Sequence, residues 1–325
     1  MYIAVFDSTD PFHNLAAEEY LLASKSDDFI LLWQNDNTIV VGRHQNTAEE
    51  IDAAFVASHG IRVVRRNSGG GAVYHDLGNL NYTVIQTAKR GDRGFAFYVR
   101  HVLSALADLG VRAELSGRND LLIDGRKISG VARYLRGDRI MYHGTLLLAS
   151  DLSRIAGALR VKPEKFQSKS VKSVRSRVGN INDFLETPLT MDDFIAALVR
   201  SLTAGGGVLP YALTDDDRRK IERLQQTKYD TFAWNYGVSP ASDTTAKRRF
   251  DGGTLEVHLS LREGCVSFFA LRGDFLSLRD IEPLERALLG VPFTVDAFRD
   301  ALSPFELSQY LGGITLDEFL SCVFD

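Results

Sequence analysis

The sequence predicts an α+β fold in two parts: a large domain built on a mixed β-sheet, then a small domain of sheet and short helices. Three observations carry this expectation. Short runs rich in β-branched and aromatic residues, separated by turn formers, crowd the first 150 positions. From Asp151 the pattern turns helical. The polar stretch "ASDTTAKRR" then parts an aromatic segment from a closing hairpin and helices, which places the boundary between 1–243 and 244–325.

In chain order, residues 29–46 read as two short β segments around the turn Asn35-Asp36-Asn37. In "TAEEIDAAFVASHG", Thr47 reads as an N-cap, Glu50 as its reciprocal partner and Gly60 as the C-terminal stop, so one helix is expected. "IRVVRR" is a strand that feeds a glycine run, and "GNLNYTVIQT" is the strand that leaves it. Residues 94–110 form an amphipathic pattern closed by Gly110. "DLLIDGRKISGVARY" predicts a hairpin, because Asp124-Gly125 suits a tight turn with left-handed central residues. "DRIMYHGTLLLAS" supplies a further strand. The segment "VKPEKFQSKSVKSVRSRVGN" sets Lys162, Lys165, Lys169, Lys172, Arg175 and Arg177 against Glu164, a composition suited to a surface segment. The helices "MDDFIAALVRSL" and "DDDRRKIERLQQ" follow, and past the boundary "GTLEVHLSLREGCVSFFALRG" predicts a hairpin trailed by three or four short helices.

Composition narrows the function classes. The chain has 325 residues, 45% hydrophobic and 25% charged, which suits a globular protein with a sizeable core. The N-terminal stretch lacks a basic region followed by an apolar one, and no run nears the roughly 18 apolar residues of a membrane span, so a cytoplasmic protein without membrane or nucleic-acid partners is expected. Cys265 and Cys322 have neither CxxC nor His/Cys spacing, and HExxH and GxSxG are absent. From Asp251 onward there are 13 acidic and 5 basic residues, a balance of −8; against the total of −4 this leaves +4 for the first 250. The large part is the one suited to anions.

Four stretches carry candidate chemistry. "RRNSGGGAVYHDLGN" sets Arg65 and Arg66 before three glycines; it is neither GxxxxGK[ST] nor GxGxxG before a helix. Glycines without Cβ let backbone N–H groups approach an anion, although three glycines also suit a plain turn. "GRNDLLIDGRKISG" holds Lys127 just past a hairpin turn, where a solvated edge lysine is the plain alternative. "YHGTLLL" holds His143 and Thr145, and "SVRSRVGN" is a basic loop.

Taken in order with "DPFHNLAAEE", "VVGRHQN" and "WNYGVSP", these stretches closely resemble the lipoate-protein ligase A family over most of residues 9–240. The C-terminal part resembles that family's accessory domain. The resemblance implies the biotin/lipoate ligase catalytic fold, although no GRGRxG-type loop of biotin ligases is present. It implies an enzyme that joins lipoate and ATP into lipoyl-AMP, releases pyrophosphate, and passes the acyl group to a lysine of an acceptor. It assigns catalysis to Lys127, ATP contacts to Arg66, Gly71, Ala72, Val73, Tyr74 and Lys127, and (R)-lipoate contacts to Lys127, Ser68, Gly70, His75 and Ser129. Arg175 and Arg177 fall in an adenylate loop that closes on the ligand, and Asp120, beside Asn119, is the candidate Mg²⁺ ligand. The partners implied are lipoyl domains of 2-oxo acid dehydrogenase acyltransferase subunits and the glycine-cleavage H protein, met by a monomer. "SGVARY" departs from the family pattern, so Val131 and Arg133 carry no transferred role. Two other functions compete: an ATP-independent lipoyl or octanoyl transferase, which needs a cysteine that the large part lacks, and a non-catalytic lipoate-binding protein, against which Lys127 and the intact loop argue.

Overall fold

The computed structural model describes residues 1–88, 94–116, 119–154, 178–236 and 244–324. Its strands are β1 (Tyr2–Val5), β2 (Phe29–Trp33), β3 (Thr38–Val41), β4 (Arg62–Arg65), β5 (Val73–His75), β6 (Asn79–Thr87), β7 (Glu114–Ser116), β8 (Asp120–Ile123), β9 (Arg126–Arg136), β10 (Arg139–Leu147), β11 (Leu209–Pro210), β12 (Thr244–Phe250), β13 (Gly253–Arg262) and β14 (Cys265–Gly273). Among the helices are α1 (Pro11–Ser24), α2 (Thr47–Glu50), α3 (Ala53–Ser58), α4 (Phe95–Asp108), α5 (Met191–Thr203), α6 (Asp215–Leu224) and α7 (Phe232–Asn235).

The chain is α+β, and its main sheet is mixed. Its order is β11-β1-β2-β6-β10-β9-β8-β7. β1 runs parallel to β2 and β11, while the pairs from β2 onward are antiparallel. Every residue of β2 is buried, as its unbroken apolar run requires. One face is covered by α4 and α5 through Val99, Val102, Leu106, Phe194 and Leu198. The other is covered by α1 and α6 through Leu15, Leu21, Leu22 and Ile221. A second sheet, β4-β3-β5, holds the glycine run between β4 and β5. The third, β12-β13-β14, packs on α8 (Glu282–Ala287), α9 (Val295–Leu302), α10 (Leu307–Tyr310) and α11 (Leu316–Phe324) around Leu255, Val257, Leu271, Phe298 and Phe319. No helix among the described residues is long and apolar enough to cross a membrane.

The Asp124-Gly125 hairpin forms as expected, with φ of 48° and 75°. Elsewhere local signals gave way to packing. The single helix expected from Thr47 is two, α2 and α3, interrupted by extended Ile51; Asn46 and Asp52 precede them, and the Asp52 carboxylate accepts from Phe55 N–H at 2.9 Å. Thr47 is buried instead of capping: its hydroxyl donates to the Asn235 carbonyl at 2.6 Å and accepts from Arg65. The polar stretch read as the boundary runs into strand β12 from Thr244, an edge strand with mostly exposed side chains, while residues 237–243 before it lie outside the described set. Helix α1 starts at Pro11 after the cap Asp10 and carries Asn14, Glu18 and Glu19 into the core.

Candidate active site

The glycine run lies along a cavity of about 280 Å³. Its walls are Arg66 and Gly70 to Val73 from the loop, His75 from β5, Asn81 from β6, Asn119 before β8, and Lys127 with Gly130 to Ala132 from β9. His143, Gly144 and Thr145 of β10, Leu15 of α1, Trp33 and Val40 complete them, and Asp274 and Leu276 reach in from the C-terminal part.

The loop is held from behind by its two arginines. Arg65 donates to the carbonyls of Gly42, Arg43, Gln45, Trp234 and Asn235, so it knits the β3 exit to α7 and points away from any ligand. Arg66 Nη2 donates to the carbonyls of Gly69 (2.7 Å) and Gly71 (2.9 Å), Nη1 to that of Val40, and Nε to Ser68 Oγ at 3.0 Å. Burial lowers both guanidinium pKa values to about 10, still cationic at neutral pH.

The three glycines divide their work. A Cβ on Gly69 would lie 2.5 Å from the Phe275 carbonyl oxygen, and Gly70, at φ +91°, donates its N–H to that same oxygen at 3.0 Å. These two seat the loop on the C-terminal part, where His44 Nε2 also meets Ser277 Oγ at 2.8 Å and Gly273 N–H donates to the His44 carbonyl. Gly71 has nothing within 4 Å of a built Cβ and borders the cavity. Backbone is accessible there.

Lys127 stands across the cavity, half-exposed, its Nζ 2.7 Å from Asp120 Oδ1. The β8–β9 register is shifted between Leu121 and Leu122, which turns the lysine out of strict alternation. A Cβ on Gly130 would come within 3.2 Å of Nζ, so glycine there leaves room for the ammonium. Asn119 holds the strand pair by giving its Nδ2 hydrogen to the Val131 carbonyl at 2.7 Å. Among the described residues no three His, Cys, Asp or Glu side chains could cage a metal. A cation bound mainly by a substrate's phosphates needs one or two carboxylates, and Asp120 fits that lesser demand.

Other predicted contacts sit differently. His75 Nδ1 accepts from Asn35 Nδ2 at 3.2 Å, its Nε2 is buried without a partner, and burial drives its pKa to about 3, with Arg66 and His143 adding to the shift. The ring is neutral and aims an unused nitrogen in a cavity wall. Ser68 is fully buried behind the loop, between Arg66 and His143 Nε2 (2.6 Å). Ser129 is likewise fully buried and does not line the cavity, and Tyr74 packs away from it with its hydroxyl donating to Asn37. Val131 is a wall residue, whereas Arg133 lies over the Phe95 ring. Arg175 and Arg177 lie outside the described residues; just after them Val178 bridges to Lys127, and Gly179 N–H donates to the Lys127 carbonyl. Neither cysteine lines the cavity.

Residues 10–203 match the family model of the lipoyl protein ligase A/B catalytic domain, and residues 239–323 that of the bacterial lipoate protein ligase C-terminus. The chain belongs to the lipoate-protein ligase family. This ligase is 40% identical to lipoate-protein ligase LplJ of Bacillus subtilis, over 97% of each chain. It is also 40% identical to lipoate-protein ligase 1 of Staphylococcus aureus, over 98% of each. Among solved structures, the lipoate complex of Plasmodium falciparum LipL1 shares its fold over 98% of both chains, with a TM-score of 0.81 at 21% identity. A lipoate-protein ligase A bound with ATP matches at a TM-score of 0.62 and 26% identity, over 73% of this ligase and 98% of that chain.

Sequence reading missed Leu15, Trp33, Asn81, Asp274 and Leu276 as walls of the ligase cavity, and Glu18 behind them. Only "AAEEY" held a signal, since two adjacent carboxylates in an apolar helix must be paired when buried.

Proposed function

We propose that this ligase activates the carboxylate of lipoate with ATP and then acylates a lysine of a lipoyl-acceptor domain. In the first step a carboxylate oxygen attacks the α-phosphorus and pyrophosphate leaves with the bridging electron pair, giving lipoyl-AMP. In the second, the acceptor amine attacks the acyl carbon and AMP leaves. The observation that carries the reading is that one ammonium, Lys127, the backbone of Gly71 to Val73 and the apolar side chains of Leu15, Trp33, Val40 and Val131 line the same cavity. The first step brings two anions together. A unit charge pair 4 Å apart is worth about 4 kcal/mol at an effective dielectric near 20, so a converging cation is needed.

In this reading Lys127 binds both the carboxylate and the α-phosphate, and holds its charge through the transfer. Gly71, Ala72 and Val73 present backbone to the nucleotide, with Arg66 acting mainly through the loop carbonyls it pins. Leu15, Trp33, Val40 and Val131 cover the acyl tail, where each buried methylene contributes about 0.8 kcal/mol. Mg²⁺, when bound with the triphosphate, neutralises phosphate charge, and Asp120 is the carboxylate that would hold it. Residues 1–243 serve as the catalytic part and 244–325 as the accessory part. The acceptors are lipoyl domains, such as those of 2-oxo acid dehydrogenase acyltransferase subunits or the glycine-cleavage H protein, met in the cytoplasm by a monomer. One related solved structure, the bipartite ligase of Thermoplasma acidophilum, is described together with its E2 lipoyl domain.

The test is exchange of labelled pyrophosphate into ATP with lipoate, octanoate or biotin. Signal with lipoate, alone or with octanoate, is expected. Exchange with biotin only, or none with any acid while acyl transfer between proteins proceeds, would overturn the proposal.

A further inference from the structure

A continuous chain of buried hydrogen bonds runs from Trp33 in the cavity wall to Arg66 of the glycine loop, and it converges from both sides on one carboxylate, Glu18. Trp33 Nε1–H donates to Thr83 Oγ1 at 3.1 Å, and the Thr83 hydroxyl donates to Glu18 Oε1 at 2.6 Å. From the other side, His143 Nδ1 lies 2.9 Å from that same Oε1. A carboxylate only accepts, so His143 Nδ1 carries a proton, and on the ring's other side Nε2 meets Ser68 Oγ at 2.6 Å. Ser68 Oγ in turn accepts from Arg66 Nε. Glu18 is 1% exposed and Ser68 and Thr83 are fully buried, so water cannot replace a lost partner. The chain also balances charge: Glu18 is the carboxylate whose field favours the buried Arg66 cation.

We propose that Glu18 is a positioning residue for both substrates, fixing through His143 and Thr83 the acyl wall (Trp33, His143) and through Ser68 the Arg66 guanidinium that shapes the phosphate-facing loop. This rests on the function proposed above. Glu18 does not line the cavity, so any effect it has on either substrate travels along the chain. Because both donors meet the single oxygen Oε1, Glu18→Gln can keep both bonds through its carbonyl and remove only the charge. Glu18→Ala removes the acceptor itself.

The experiment measures binding of ATP and of lipoate separately, by calorimetry at a temperature where each variant is folded, beside the exchange assay. Glu18→Ala should weaken both ligands by about tenfold or more, the usual cost of losing an outer partner that orients a site residue. Glu18→Gln should restore most of both affinities. Asp217→Asn is the control: Asp217 is equally buried, accepting from Lys25, Tyr20 and Tyr211 far along the α1–α6 contact, and its loss should lower melting temperature while leaving both affinities unchanged. Nitrogen NMR of His143 adds a readout that a packing defect would not move, namely a proton on Nδ1 in the wild type. Unchanged binding of both ligands in folded Glu18→Ala, loss of only one, equal loss in Asp217→Asn, or a wild-type proton on Nε2 alone would each overturn the proposal. Failure of the ligase reading is seen separately, as wild-type protein that binds neither ligand or supports no exchange.

Discussion

Substituting alanine at Gly69 and at Gly71, two positions apart in one loop, should give opposite defects. Neither glycine has a positive φ, so the contrast is purely steric. A Cβ at position 69 would sit 2.5 Å from the Phe275 carbonyl oxygen and 2.8 Å from Ser277 N, where ordinary contact begins near 3.4 Å. Those obstacles are backbone and cannot rotate away. The segment must back off by most of an ångström, which breaks the 3.0 Å bond from Gly70 N–H to Phe275. Overpacking of this kind costs about 1–3 kcal/mol and the lost hydrogen bond about 1 more, so Gly69→Ala should destabilise by about 2–4 kcal/mol. At position 71 a methyl meets nothing within 4 Å, so stability should be unchanged within about 0.5 kcal/mol. If Gly71 presents its backbone to the nucleotide as proposed, the same methyl obstructs that approach, and the apparent KM for ATP should rise about tenfold or more. Denaturant unfolding and pyrophosphate exchange, run on both variants, separate the two effects. Equal destabilisation by both substitutions, or a Gly71→Ala enzyme with unaltered KM for ATP, would refute this division of the loop.

Lys127→Ala should lower exchange by about 10² to 10³ while changing stability by less than about 1 kcal/mol, since its ion pair with Asp120 is half-exposed; a stable variant with wild-type exchange would remove Lys127 from the chemistry. Arg65→Lys should destabilise by about 3–5 kcal/mol in denaturant unfolding, because an ammonium cannot serve the carbonyls of Gly42, Gln45, Trp234 and Asn235 together. His75 is neutral in the fold with a pKa near 3, against 6.5 when unfolded, so the unfolded chain takes up the proton first. Its contribution is complete above pH 6.5 and is lost as pH falls toward 3, about 2 kcal/mol of it by pH 5. His75→Asn should therefore flatten the stability profile between pH 6.5 and 4, the remaining slope coming from His44 and His101 and, nearer pH 4, from the lowered carboxylates of Glu19 and Asp217; an unaltered slope would count against a neutral buried ring.

The glycine loop shows how far local sequence reaches. "SGGG" after "RR" announced backbone that could approach an anion, and the order of the other motifs pointed to the family; both follow from residue type and spacing, which a sequence contains in full. Which glycine does what was not legible, because Gly69 and Gly70 are constrained by Phe275, some 200 positions away. Arg66 could be placed beside the loop, yet its commitment to loop carbonyls depends on folded geometry. Thr47 carried a good capping signal and was overruled by a buried bond to Asn235, since satisfying a buried arginine and a carbonyl outweighs one exposed cap.

By itself the sequence determined the strand and helix types along most of the chain, the two-part order and the Asp124-Gly125 turn. These rest on short-range chemistry: side-chain periodicity, turn conformations and charge. Only the tertiary structure decided that β2 and β3 enter different sheets, that Asp274 and Leu276 help wall the cavity, and that Glu18 faces His143 across two elements. Those are contacts between residues far apart in the chain. Their geometry is set by how sheets and helices pack, and no local pattern encodes it.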